Sequence, residues 1–165
     1  MTSFRTATRH SALAIVFLIA AGAASTEAQT RFTVSADGQE VLDGTTNLLW
    51  RRCAEGMKWD GKACSGKAAQ FDFAGAKKLA AAAGEASKAW RVPTKDELRG
   101  IVVKSKKKPM IDVAAFPDTP ATMFWSTRPG FNDNLNAWLV HFGNGRVYGN
   151  SGQGKFNLRL VRANQ

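Results

Sequence analysis

The segment WRVPTKDELRGI, residues 90–101, combines a tryptophan, two arginines and a proline with the charged start of a predicted helix. Pro93 disfavours a helical conformation at Val92 and so marks a boundary. Thr94 to Glu97 fit a capping box, in which Thr94 accepts from the Glu97 backbone N–H and Glu97 reaches back to Thr94. Trp90 is interpreted as a core anchor at this corner. The structural motif comprises Trp90, Arg91, Pro93, Thr94 and Glu97.

On the N-terminal side of this segment, another helix is predicted over residues 72–84, with Asp72 as its N-cap and Gly84 as its stop. Strand patterns lie on both sides of the two helices: 31–44, 47–52, 123–127, 136–142, 146–149 and 156–162. Gly143–Gly145 is a hairpin signal. Helices in the middle and strands at both ends predict an α+β fold with no βαβ alternation.

The N-terminus has the order of a secretory signal peptide, with Arg5 and Arg9 before a short apolar run and small residues after it. That run is shorter than the roughly 20 apolar residues that a membrane span needs. Cleavage after Ala23 or Ala28 is possible, and Ala28 is favoured. The predicted organisation is therefore a signal peptide at 1–28 and one domain at 29–165. This predicts an exported protein, periplasmic, secreted or on the cell surface, with no membrane span.

The charge of the predicted mature chain is strongly positive. Removing residues 1–28 takes away two arginines and one glutamate, so the formal net charge falls from +10 to +9. A basic exported domain attracts polyanions such as acidic or sulfated polysaccharides, although the charge could equally serve solubility alone. No pattern for specific nucleic-acid recognition is present.

The two cysteines, Cys53 and Cys64, are the only ones in the sequence. A pair in an oxidising compartment predicts a disulfide, and no further cysteine or histidine lies near enough to suggest zinc. The bond would close a glycine-rich loop and stabilise the fold by about 3 kcal/mol.

No motif of catalysis or cofactor binding is recognised. The single histidine after the signal, His141, lies in a predicted strand, and no nucleophile elbow or phosphate loop surrounds a serine or glycine cluster. No catalytic residue, metal site or cofactor is therefore predicted. The oxygens of Asn132, Asp133, Asn134 and Asn136 do not follow a calcium-loop spacing and are interpreted as a polar loop whose amides could bind sugar hydroxyls.

The sharpest functional signal in the composition is the lysine segment, residues 104–109, with the sequence KSKKKP. It follows the capped helix and ends at a proline, so it is expected to be exposed. Clustered lysines without interleaved aromatic residues suit sequence-blind attraction to phosphate or sulfate, and a solvated loop without a partner is the alternative. The candidate ligand-binding residues are Lys104, Lys106, Lys107 and Lys108, with Arg128 and the polar loop as secondary candidates.

Five stretches resemble, in order, the Lcl C-terminal domain family of exported bacterial proteins: DGTTNLLWRRCAEGMKWDGKACSG, WRVPTKDELRGIV, PMIDVAAFPDTPATMFWSTRP, AWLVHFGNGRVYG and LRLVR. The segment from Arg91 to Glu97 is also similar to a corner of formylglycine-generating, sulfatase-modifying proteins. These resemblances imply a C-type lectin-like fold, with two helices packed on small twisted antiparallel sheets. The family's founding member is an adhesin whose C-terminal domain helps to bind sulfated polysaccharide, which implies glycan binding and adhesion here.

Two departures limit that resemblance. No collagen-like repeat precedes the domain, so adhesin-style multivalency is not carried over, and no free cysteine pair supports sulfatase-modifying chemistry. The sequence thus predicts an exported, non-catalytic domain that binds a polyanionic or sulfated polysaccharide or another envelope polymer. A protein-interaction module presenting Trp125, Trp138 or Tyr148 is the alternative, and an enzyme of unidentified chemistry is the third reading.

Overall fold

The structure, a computed structural model, describes residues 30–84, 89–128 and 137–164. These residues contain two short helices and three small antiparallel sheets. The predicted α+β class is confirmed. The strands are β1 Phe32–Val34, β2 Glu40–Asp43, β3 Leu48–Arg51, β4 Met57–Trp59, β5 Cys64–Gly66, β6 Met123–Thr127, β7 Ala137–His141, β8 Val147–Asn150 and β9 Val161–Ala163, and the helices are α1 Phe73–Ala83 and α2 Lys95–Gly100. The predicted signal peptide lies outside the described residues.

The strands of the described residues pair into three separate sheets. Strands β1, β2, β3 and β9 form one sheet in that order, β4 and β5 form a hairpin, and β6, β7 and β8 form a meander. The last strand of the chain therefore pairs with an early one, with Trp50 opposite Val161. Among the described residues, no helix is long and apolar enough to cross a membrane.

The β6–β7–β8 sheet is buried on both faces. Phe124 and Val140 belong to one hydrophobic cluster, whereas Trp125 and Leu139 belong to the other. Trp125 has no exposed surface, and its indole N–H donates to the Phe71 carbonyl at 2.6 Å. The prediction that Trp125 forms part of an exposed aromatic surface is therefore wrong.

The predicted structural motif forms as expected. The Thr94 hydroxyl accepts from the Glu97 N–H at 3.2 Å, and the Glu97 carboxylate accepts from the Thr94 N–H at 2.8 Å. Arg91 adds a bidentate ion pair with Glu97, both bonds being 2.7 Å long. Trp90 is buried, and the Pro93 carbonyl accepts from the Thr127 N–H. The motif holds α2 against β6, so its residues serve the fold.

The stability that the Glu97 carboxylate contributes through Arg91 and Thr94 should depend on pH. Burial alone would raise the pKa of Glu97, but hydrogen bonds and charge from Arg91 and Thr94 outweigh it and lower that pKa below its usual range. The resulting stabilisation is complete above the pKa of the unfolded chain and is lost as pH falls through the folded value. We expect Glu97→Gln to cost about 1 kcal/mol at pH 7 and to lose less further stability at pH 3 than wild type does. Urea unfolding at both pH values measures this, and equal acid sensitivity of the two proteins would contradict it.

The first helix, α1, also follows the sequence. Asp72 caps its N-terminus by accepting from the Gly75 N–H at 2.7 Å, and the helix ends at Gly84. Phe73, Ala76 and Ala80 are buried, and their spacing of three and four residues places them on one face of the helix.

The predicted strand over 156–162 is largely wrong. Only Val161–Ala163 pair as a strand, and the residues before them each contact a different element. Phe71 bridges Phe156, and Phe124 bridges Asn157. Because these partners belong to different parts of the fold, the segment crosses between sheets without extending any of them.

The predicted disulfide joins Cys53 to Cys64. Cys64 begins β5 and Cys53 precedes β4, so the bond ties the β4–β5 hairpin (the cysteine hairpin) to the chain that enters it. The sequence had indicated this hairpin only as a glycine-rich loop. The Cys64 N–H donates to the Asp118 carboxylate at 2.9 Å. Asp118 itself has a φ of 52°, so its backbone turns sharply to bring the carboxylate to the hairpin. The cysteine pair is thereby fixed to the segment that precedes β6.

Arg159 lies at the centre of this region and has no exposed surface. Its guanidinium donates to the carbonyls of Arg51 and Arg52 and, at 2.7 Å, to the Thr119 hydroxyl. Burial lowers the pKa of Arg159 to about 9, while the charge of Glu55 acts in the opposite direction. One side chain therefore joins the end of β3 to the segment before β6.

Candidate functional site

The lysine segment is an exposed loop, and backbone contacts between the residues on either side of it fix its base. Val102 bridges Ile111, and the Val103 N–H donates to the Met110 carbonyl at 3.0 Å. The Met110 N–H donates in turn to the Phe142 carbonyl at 2.6 Å, which attaches the base to the end of β7. The exposed positions are Lys104, Lys106, Lys107 and Lys108, as predicted.

A concave surface lies beside this segment. The cavity has a volume of about 360 Å³, within the roughly 300–1,000 Å³ typical of small-molecule sites. Its lining residues come from the end of α2, the lysine segment and the β7–β8 turn: Arg99, Val102, Lys104, Ser105, Met110, Asn144 and Gly145. Two of them are cationic and none is acidic. The cavity therefore favours an anionic group.

The β7–β8 turn shapes one wall. Gly145 has a φ of 68°, and a Cβ there would lie 3.2 Å from Val102 Cγ1. The Asn144 side chain is held in place because its Nδ2 donates to the Tyr148 hydroxyl and its Oδ1 accepts from the Arg146 N–H. An oriented amide and the Ser105 hydroxyl are suited to hydrogen-bonding the hydroxyl groups of a ligand.

The secondary candidates do not join this cavity. The Arg128 guanidinium lies 5.9 Å from the centre of the Trp138 ring, and the ammonium of Lys95, at the start of α2, lies at the same distance from that ring. The lysine segment follows the opposite end of that helix. Asn132, Asp133, Asn134 and Asn136 lie outside the described residues.

The sequence did not indicate three residues of the cavity. Arg99 is in the last turn of α2, Met110 follows the lysine segment, and Asn144 is in a turn 40 positions beyond Lys104. The position of Arg99 five residues before Lys104 is a signal that could have identified it, since the two cations flank a short connection.

His141 has a structural contact. It lies half-buried at the end of β7, as predicted, and its Nδ1 accepts from the Gly143 N–H at 2.8 Å. No group of three or more His, Cys, Asp or Glu side chains suited to a metal occurs in the described ranges.

Comparison with known sequences gives the family. The family model described as the Lcl C-terminal domain matches residues 39–162, well over half of the chain. The chain belongs to this family. The lysine segment and every residue lining the cavity fall within the matched range of the Lcl C-terminal domain. No curated protein and no solved structure matches the chain.

Proposed function

We propose that this Lcl C-terminal domain is an exported, non-catalytic module that binds a polyanionic or sulfated polysaccharide, or another anionic polymer of the cell envelope. The observation that carries the proposal is the cavity between Arg99, Lys104 and Asn144, which is cationic and lies directly beside three further exposed lysines. A sulfate or carboxylate group of the polymer enters the cavity, and neighbouring units lie along Lys106, Lys107 and Lys108.

The two kinds of cation have different roles in this proposal. Arg99 presents a planar guanidinium that can bind two oxygens of one sulfate or carboxylate, whereas the lysines act as point charges. Ser105 and Asn144 hydrogen-bond sugar hydroxyls. Because the lysines are exposed, salt screens their contribution strongly, with a Debye length of about 8 Å at physiological ionic strength.

Export has separate support. Stable disulfides occur mainly in oxidising compartments, and Cys53 and Cys64 are bonded. The signal-peptide pattern and the resemblance to exported proteins agree with that. The C-type lectin-like description of the fold, and the likeness to sulfatase-modifying proteins, stay predictions.

A second candidate function is docking of an envelope protein. Trp138 and Tyr148 are half-buried, and Lys95 and Arg128 each lie 5.9 Å from the Trp138 ring centre. Tryptophan, tyrosine and arginine are enriched at protein interfaces. A protein retained from an envelope extract at high salt, and lost on Trp138→Ala, would favour this function.

The polyanion proposal is tested by heparin chromatography of the mature domain. We expect Lys104, Lys106, Lys107 and Lys108 changed together to Glu to abolish retention at physiological salt, because the change replaces attraction with repulsion at one place. The matched control changes four other exposed lysines to Glu, and so makes the same difference in net charge: Lys62, Lys67, Lys78 and Lys155.

The control variant should remain bound, with only a modest fall in the salt concentration of elution. Arg99→Gln should weaken binding of a sulfated disaccharide at least tenfold, measured by calorimetry, since it removes the bidentate contact in the cavity. Equal losses in the two fourfold variants would show that binding depends on overall charge and would refute this site.

A further inference from the structure

A second cavity, of about 420 Å³, lies at the cysteine hairpin and shares no residue with the first. Its lining residues include Gln39, Arg51, Glu55, Met57, Lys58 and Trp59. Unlike the cavity beside the lysine segment, it is lined by an acidic residue as well as by basic ones. It is therefore expected to bind a different class of ligand, one whose charges complement both signs.

Glu55 presents an unpaired carboxylate to this cavity. Its backbone is fixed, because its N–H donates to the Leu158 carbonyl and its carbonyl accepts from the Ala69 N–H, both at short distances of 2.9 and 2.8 Å. Burial raises the pKa of Glu55, although the charges of Arg51 and Arg159 act against that rise. Within residues 30–84, 89–128 and 137–164, no donor hydrogen-bonds this carboxylate and no cation pairs with it within 4.0 Å. Glu55 is partly buried, so its carboxylate is accessible to a donor from a ligand or from water.

Arg51 also lines this cavity and carries the opposite charge. Its guanidinium carbon lies 4.5 Å from the centre of the Trp90 ring, so that stacking holds it in place. Its buried Nε has no hydrogen-bond partner among the described residues. Arg51 and Glu55 thus line one cavity with complementary charges, the charge of Arg51 acts on the Glu55 carboxylate, and no hydrogen bond joins them.

The aromatic wall is rigid. The Arg52 guanidinium lies 3.7 Å from the centre of the Trp59 ring. Gly38 contacts the same indole so closely that a Cβ there would be 2.3 Å from Trp59 Nε1. With Met57, the ring offers an apolar surface beside the two charges.

We propose that this cavity is a site for a small zwitterion that carries an ammonium and a carboxylate on one carbon, as a free α-amino acid does. The ammonium donates to Glu55, the carboxylate accepts from Arg51 with Lys58 at the rim, and the ligand side chain lies against Trp59 and Met57. An anion would be repelled by Glu55, and a simple cation would be repelled by Arg51 and Lys58. Only a ligand with both charges satisfies both groups.

The test uses the mature domain and a panel of the free L- and D-amino acids, observed through the indole N–H signal of Trp59 in NMR titrations. Each amino acid that binds is compared with its N-acetyl derivative, which lacks the ammonium, and with its amide, which lacks the carboxylate. We expect saturable binding of at least one amino acid and at least tenfold weaker binding of both derivatives.

Variants assign the two charges. Glu55→Gln should abolish the preference for the amino acid over its N-acetyl derivative, and Arg51→Gln should abolish the preference over its amide. Arg51→Lys, which keeps the charge, should retain part of that preference. Lys62→Gln is the control, because Lys62 is exposed and outside the cavity, and it should bind as wild type does.

The result can be separated from the polyanion proposal, because the fourfold Lys104–Lys108 variant should bind amino acids unchanged. Absence of saturable binding by every amino acid in the panel would overturn the zwitterion site. Binding that is equally strong in Glu55→Gln, or equally strong for all three forms of the ligand, would overturn it as well.

Discussion

Arg159→Met should lower the free energy of unfolding by about 3–5 kcal/mol, the cost of removing one partner from a buried charged network. Methionine fills similar volume but donates no hydrogen bond. The carbonyls of Arg51 and Arg52 and the Thr119 hydroxyl would lose their donor, and Glu55 would lose a compensating charge. Denaturant unfolding at pH 7 measures the loss.

Two comparisons make the Arg159 result specific. Arg146→Met changes an exposed arginine and should cost less than about 0.5 kcal/mol. Adding Glu55→Gln to Arg159→Met should recover part of the loss, because it removes the charge left without compensation. A loss below about 1 kcal/mol for Arg159→Met would mean that its hydrogen bonds contribute little net stability.

Removal of the disulfide should have the next largest effect. The Cys53→Ser and Cys64→Ser double variant is expected to lose about 3 kcal/mol, because the bond restricts the unfolded chain across a separation of 11 residues. For a domain of this size, that corresponds to a melting temperature lower by on the order of 10 °C. Calorimetric melting of the double variant measures it.

The reduced wild-type protein provides an independent comparison. In a strong reductant, wild type should melt with the double variant, while the variant itself should not respond to the reductant. Equal melting temperatures for the oxidised wild type and the double variant would contradict a stabilising role for the bond.

Local features of the fold could be predicted because their partners are close in sequence. The capping contacts join Thr94 to Glu97, and Asp72 caps α1 through Gly75, three positions away in both cases. Residue type and spacing are sufficient for such contacts. The bonded cysteines were predictable for a different reason, since a lone pair has only one possible connectivity.

The burial of Trp125 could not be predicted from residue type and local spacing. Phe124, Trp125 and Ser126 are all buried, because one hydrophobic cluster covers each face of β6. A strand covered on both faces has no alternation of polar and apolar residues, so its sequence does not distinguish a core face from a surface face.

The candidate site was predictable only in part. The lysines lie close together in the sequence and can be recognised from it. The cavity beside them also needs Asn144, which follows β7 in the chain and lines the cavity together with Val102 and Met110. The zwitterion cavity similarly requires the cysteine hairpin to pack on Gly38, so that Trp59 becomes a wall. Such long-range packing leaves no signature in local spacing.

The pairing of β3 with β9 has a consequence for biogenesis. Leu48 lies opposite Ala163, and Arg159 donates to carbonyls more than 100 positions earlier in the chain. A nascent chain therefore lacks the edge of its first sheet and the donor for its buried carbonyls until nearly all of residues 30–163 have been synthesised. Closing contacts of such long separation is slow. The domain would consequently remain unfolded through most of its synthesis, which is the state in which a chain can be threaded through a narrow translocation pore.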